Sequence, residues 1–144
     1  MRKRLLQNNM PPDWNVRVHT LEHFYIFCTK HRIIIHEDLA VREGGLYLTY
    51  EGHPHIFLDR DLRGHEKTRC AWHEAGHYLL HPGGIQFFRG MDNSIEYEAE
   101  VVAVCAMVPR TLLRSHWPSE IVEEFGYAVE LVEFRQEIFS IWGI

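Results

Sequence analysis

The stretch 68–81, TRCAWHEAGHYLLH, constrains this chain more than any other. At its centre is His73-Glu74-Ala75-Gly76-His77, an HExxH pattern. Residues four apart share a helix face, so a helix here points His73 and His77 the same way. Two neutral imidazoles on one face make half of a tetrahedral zinc shell. Glu74, beside the first histidine, can then take a proton from a water at the metal. The pattern has chemical meaning only on a helix, and its neighbours predict one. On a helical wheel Trp72, Ala75, Gly76, Leu79 and Leu80 form one apolar arc. His73, Glu74, His77, Tyr78 and His81 fill the adjoining arc. Pro82-Gly83-Gly84 ends the run. Gly76 costs a helix interior roughly 1 kcal/mol against alanine, which points to another backbone packing close to it.

A chance match has to be weighed. With 11 histidines in 144 residues, HExxH arises by accident in roughly one such chain in twelve. The amphipathic pattern and the carboxylates downstream both argue against accident here.

The length suits one domain with a core of its own, taken as residues 13–144, after a solvated tail at 1–12 that ends in Pro11-Pro12. That tail is basic, but no long apolar segment follows it, so it does not have the form of a secretory signal. No apolar run is long enough to cross a membrane. The net charge of −5 argues against a general nucleic-acid binder. Cys28, Cys70 and Cys105 are odd in number and far apart, without a CxxC pair. This usage fits free thiols in a reducing cytoplasm.

In chain order, Asp13 is a candidate cap for a helix to about Lys30, with Val18, Leu21, Phe24, Tyr25 and Cys28 as its core stripe. Ile33-Ile34-Ile35 reads as a short buried strand. Residues 46–50 and 55–59 form a hairpin around Glu51-Gly52-His53-Pro54, with His53 and His55 at its tip. The motif helix follows. Residues 83–93 form a loop in which Phe87-Phe88 either packs down or lines a groove. Asn93-Ser94-Ile95-Glu96 has the form of a capping box and opens a helix over 94–108. A helical turn at 111–115 and helices over 118–125 and 127–142 complete the chain. The order of helix, small antiparallel sheet and then helices makes the fold class α+β.

A two-histidine helix needs another protein ligand, and the helix at 94–108 offers Glu96, Glu98 and Glu100. At ~100° per residue, Glu96 and Glu100 fall about 40° apart on a side that can face water. Glu98 falls between Val101, Val102 and Cys105, the only charge in an apolar arc. An unpaired buried carboxylate is costly, so a cation is expected beside it. The metal is the obvious cation, which makes Glu98 the expected third ligand.

Two stretches together resemble the ImmA/IrrE-type metallopeptidases. The first is Arg69-Cys70-Ala71-Trp72-His73-Glu74-Ala75-Gly76-His77-Tyr78-Leu79-Leu80-His81. The second is Glu96-Tyr97-Glu98-Ala99, then Val102-Ala103 and Ala106-Met107-Val108-Pro109, followed by Arg135 in the closing helix. Trp72, Glu100, Val102, Ala106 and Met107 depart from that pattern, at positions of packing. The resemblance implies a zincin-like, gluzincin-type peptidase domain. It implies Zn²⁺ on His73, His77 and Glu98, and Glu74 as general base. It also implies a protein substrate, a helix-turn-helix transcriptional repressor, in phage, mobile-element or stress regulation. The alternative from another class is a zinc-containing binding module that holds a repressor or a toxin or antitoxin partner without cutting it.

Overall fold

The computed structural model describes residues 1–81 and 93–144. In order, they form α1 (Lys3–Asn9), α2 (Leu21–His31), β1 (Ile34–His36), β2 (Gly45–Tyr50), β3 (His53–Leu58) and α3 (Gly64–Leu80). Then follow α4 (Asn93–Met107), α5 (Arg110–Ser115), α6 (Pro118–Phe125) and α7 (Val129–Trp142). The fold is α+β, as the order of sequence patterns implies. The terminator at 82–84 and the Phe87-Phe88 loop lie outside the described residues.

The hairpin forms because its two loop residues accept left-handed backbone. Tyr50 pairs with His53, and between them Glu51 and Gly52 have φ of 50° and 78°. A tight turn of that hand matches the twist of the strands it joins. The alternation of β2 and β3 turns Tyr47, Ile56 and Leu58 into the core. The sheet is mixed rather than antiparallel. β1 adds to the far side of β3 in parallel, with Ile35 opposite Ile56, giving the order β1-β3-β2. Residues 37–44 carry the chain across to the outer edge, where β2 begins beside α3.

The first core helix starts later than Asp13. Asn15 has φ of 63°, which a helix cannot hold, and Asp13 pairs with Arg17 at 2.7 Å instead of capping. The cap is Thr20. Its side chain accepts from the His23 backbone N–H, and the His23 ring accepts from that of Thr20. A histidine thus fills the role of the glutamate in a capping box. The stretch 1–12 is also more than a tail in the structure. α1 forms there, Leu6 is fully buried among Val101, Cys105 and their neighbours, and Lys3 Nζ donates to the Trp142 carbonyl at 2.6 Å. Leu6, with Met1, Leu5 and Met10 packed around it against the same core, docks this helix.

α3 and α4 pack face to face at the centre, and Gly76 allows it. A Cβ at Gly76 would lie 3.1 Å from Ala99 Cα and 3.2 Å from the Ala99 carbonyl oxygen. The close backbone expected at Gly76 is therefore that of α4. On the other side of α3, Trp72 meets the rings of His19, Phe24 and Phe27 and donates its indole N–H to the Thr20 carbonyl. It fastens the motif helix to α2. Arg135 is fully buried and spans three acceptors, the carbonyls of Val108 and Ile144 and the side-chain oxygen of Asn15. It ties α7 to the end of α4, away from the motif histidines. Among the described residues, no helix is long and apolar enough to cross a membrane.

Candidate metal centre

α3 carries Arg69, His73, His77 and His81 at intervals of four, so they form one stripe along the helix. α4 brings Glu96 and Glu100, also four apart, against it. His73 Nε2 lies 3.0 Å from Glu96 Oε2, and His77 Nε2 lies 3.1 Å from Glu96 Oε1. Donor atoms of these three residues all lie within 4.8 Å of one another. Tetrahedral coordination with bonds of ~2.0–2.1 Å places donors about 3.3 Å apart, so the spacing fits a small divalent metal. His77 Nε2 is buried and, despite the short distance, makes no hydrogen bond. A lone pair held out of water in this way is what a metal ligand requires.

Each imidazole has its other nitrogen engaged. His73 Nδ1 lies 2.8 Å from Glu100 Oε2, and Arg69 grips the other oxygen of Glu100. His77 Nδ1 lies 3.1 Å from His81 Nδ1, and His81 Nε2 lies 2.8 Å from Glu98 Oε2. A proton on each Nδ1 leaves each Nε2 free to bind metal.

The charges match the contacts. Burial opposes a charged His73, yet its bonds to Glu100 and Glu96 outweigh burial and push the imidazole up to about 9. Glu96 is held far below the usual carboxylate range by His73 and His77. Burial raises Glu98, but Arg2 and then His81 overcome it and bring it down to about 2. With so much negative charge around the two imidazoles, the pocket favours a cation.

Of the four residues singled out in the sequence, the structure brings three together. His73 and His77 share the cluster. Glu74 is buried at 1% exposure and, with Cys70, Arg69, His73, Glu96 and Glu100, lines a cleft of ≈390 Å³. Glu43 and Gly44, just before β2, form part of its wall. A Cβ at Gly45 would come 3.0 Å from Glu74 Oε1 and 2.6 Å from Cys70 Sγ, so a residue without a side chain gives Glu74 its room. Glu98 lies elsewhere. It is buried as the helical wheel implies, and a cation does neutralise it. That cation is the Arg2 guanidinium, with Nη2 to Oε2 at 2.8 Å and Nε to Oε1 at 3.1 Å. The carboxylate facing both imidazoles belongs to Glu96.

A family model described as the IrrE N-terminal-like domain, a peptidase family, matches residues 21–136. The chain belongs to that family. This IrrE N-terminal-like chain therefore carries a metallopeptidase domain, and the matched span contains α3, α4 and every donor of the cluster. Arg2 and α1 lie outside it. No curated protein and no solved structure matches the chain.

Sequence reasoning missed the supporting roles of Arg69, His81, Glu100 and Arg2, although it weighed Glu100 as a ligand. The first three were within reach. Arg69 and His81 continue the four-residue stripe of the motif, and Glu100 repeats Glu96 by one turn. Arg2 gave no signal, because nothing local connects it with a glutamate 96 residues away.

Proposed function

We propose that this metallopeptidase is a zinc-dependent endopeptidase in which His73, His77 and Glu96 hold Zn²⁺ and Glu74 is the general base. The observation that carries this is the converging trio of His73 Nε2, His77 Nε2 and the Glu96 carboxylate on an HExxH helix. A bound Zn²⁺ supplies Lewis acidity for a peptide carbonyl and lowers the pKa of a water toward ~7. Glu74 accepts the proton of the attacking water and returns it to the leaving amine. Glu100 and His81 hold the two imidazoles in the tautomer that leaves Nε2 unprotonated. Glu96 takes the third position in preference to Glu98, because Glu98 is already neutralised by Arg2.

The substrate in this reading is a protein, and the family resemblance points to a helix-turn-helix repressor. The compartment is the cytoplasm. Burial pushes the Cys28 thiol up to about 12 and the Cys105 thiol up to about 11. Burial makes these thiols inert, and the free state of Cys28, Cys70 and Cys105 supports a reducing environment.

The test is Glu74→Gln in a chain reconstituted with zinc and co-expressed with repressors encoded beside it. The variant should keep about one zinc per chain and lose cleavage of the repressor that wild type cuts. Cleavage at the wild-type rate would remove Glu74 from the mechanism. Retention of a partner without cleavage by wild type would favour the binding-module alternative.

A further inference from the structure

We propose that Arg2 is a positioning residue for the metal ligand His77, acting through Glu98 and His81. This rests on the metal site proposed above, and it concerns a residue outside the span shared with the family.

The argument is the direction of the hydrogen bonds. A metal-binding His77 Nε2 has no proton, so the ring proton sits on Nδ1. That N–H faces His81 Nδ1 at 3.1 Å, which must then accept. His81 consequently carries its proton on Nε2 and donates to Glu98 Oε2 at 2.8 Å. Glu98 ends the chain as an anion. Its oxygens accept from Arg2 Nη2, Arg2 Nε and the Arg2 backbone N–H, at 2.8, 3.1 and 2.9 Å. Donation runs from His77 through His81 to Glu98, and Arg2 donates to the same carboxylate from the opposite end. No link can reverse without breaking another.

Burial makes the end of the chain matter. With Arg2 in place the side chains of His81 and Glu98 are 4% and 1% exposed, so the bond between them is shielded from water. Arg2 approaches from the surface, with 58% of its side chain exposed. It covers the carboxylate with a planar fork that matches both oxygens. Lys3, the next residue, holds the same helix to the Trp142 carbonyl. Among the described residues its side chain makes no hydrogen bond to the relay, and it serves as an internal control.

The experiment compares wild type with Arg2→Ala, Arg2→Lys and Lys3→Ala. Zinc affinity is measured by chelator competition, and the visible absorption of the Co²⁺-substituted proteins is recorded. Arg2→Ala should weaken zinc binding about five- to ten-fold and shift the Co²⁺ bands, as supporting residues of metal ligands do. Arg2→Lys should recover part of both. Lys3→Ala should match wild type. An Arg2→Ala protein with wild-type affinity and wild-type Co²⁺ bands would overturn the relay alone. So would a Lys3→Ala protein as impaired as Arg2→Ala, because docking of α1 would then be the cause. A wild-type chain that takes up no zinc would overturn the metal site itself, and the relay with it.

Discussion

His73 and His77 sit one turn apart on the same helix, yet their supports are built differently. His73 is held by a short arm. Its Nδ1 meets Glu100 directly, and Glu100 is gripped by Arg69, which stands one turn before His73 on α3. His77 is held by a long arm, through His81 and Glu98 to Arg2. The short arm is local to α3 and α4 and partly wet, with Arg69 and Glu100 37% and 22% exposed. The middle of the long arm is dry, and its far end comes from a helix at the other end of the sequence. The same task, fixing an imidazole, is done once by adjacent turns and once by tertiary structure. A direct bond to the ring should carry more of the ligand's orientation than a bond three links away. A dry relay should respond more sharply when its outer end is removed.

The largest expected effect comes from a change that spoils both arms together. Gly76→Val places a branched side chain where α4 backbone passes at 3.1–3.2 Å. Overpacking of this kind costs roughly 1–3 kcal/mol. It should lower the melting temperature and weaken zinc binding beyond either single-arm variant. Full retention of zinc affinity would show that neither arm depends on the spacing of α3 and α4.

Next in size is the short arm alone. Glu100→Gln should weaken zinc binding by about ten- to a hundred-fold in chelator competition, a larger loss than Arg2→Ala. The reverse order would make the buried relay the dominant support. The double variant Glu100→Gln with Arg2→Ala sharpens the comparison further. The arms share no residue, so their effects on zinc affinity should multiply to within about a factor of two. A strong departure would show that the arms communicate through the metal site.

The smallest effect concerns salt. Arg2 is the more exposed guanidinium, and ~0.5 M salt screens exposed charges well. Raising NaCl should therefore narrow the gap between Arg2→Ala and wild type more than the gap between Glu100→Gln and wild type. Equal narrowing would mean that the exposed ends of the two arms are electrostatically alike.

The arms also show what the sequence could tell. α3 was legible because its information is local: the wheel, the motif and Gly76 all lie within 17 residues. α4 was legible for the same reason, and so were the hairpin and the helix at 118–125. The burial of Glu98 and its need for a cation followed from its apolar neighbours on the wheel. The identity of that cation did not, because Arg2 arrives through the docking of α1, and two adjacent leucines in a basic stretch are a weak signal for a helix. The pairing of β1 with β3 was hidden likewise, since parallel partners are joined by no short turn. Thr20 as a cap was hidden by chemistry, because His23 fills a role in which glutamate or glutamine is usual. Glu96 and Glu100 looked like solvent-facing charges from the wheel of α4 alone. The residues that cover them belong to α3.

At Gly76 the two central helices touch through carbon and backbone atoms, and no ion takes part in that contact. Packing of this kind can hold their separation without help from an ion. Small zinc domains whose folding is driven by the metal behave otherwise, unravelling when it is withdrawn. Here a chelator should extract the ion and leave a folded scaffold that regains its competence on resupply. Scarcity of the ion would then act as a reversible brake on a standing pool of molecules, lifted without new synthesis or refolding.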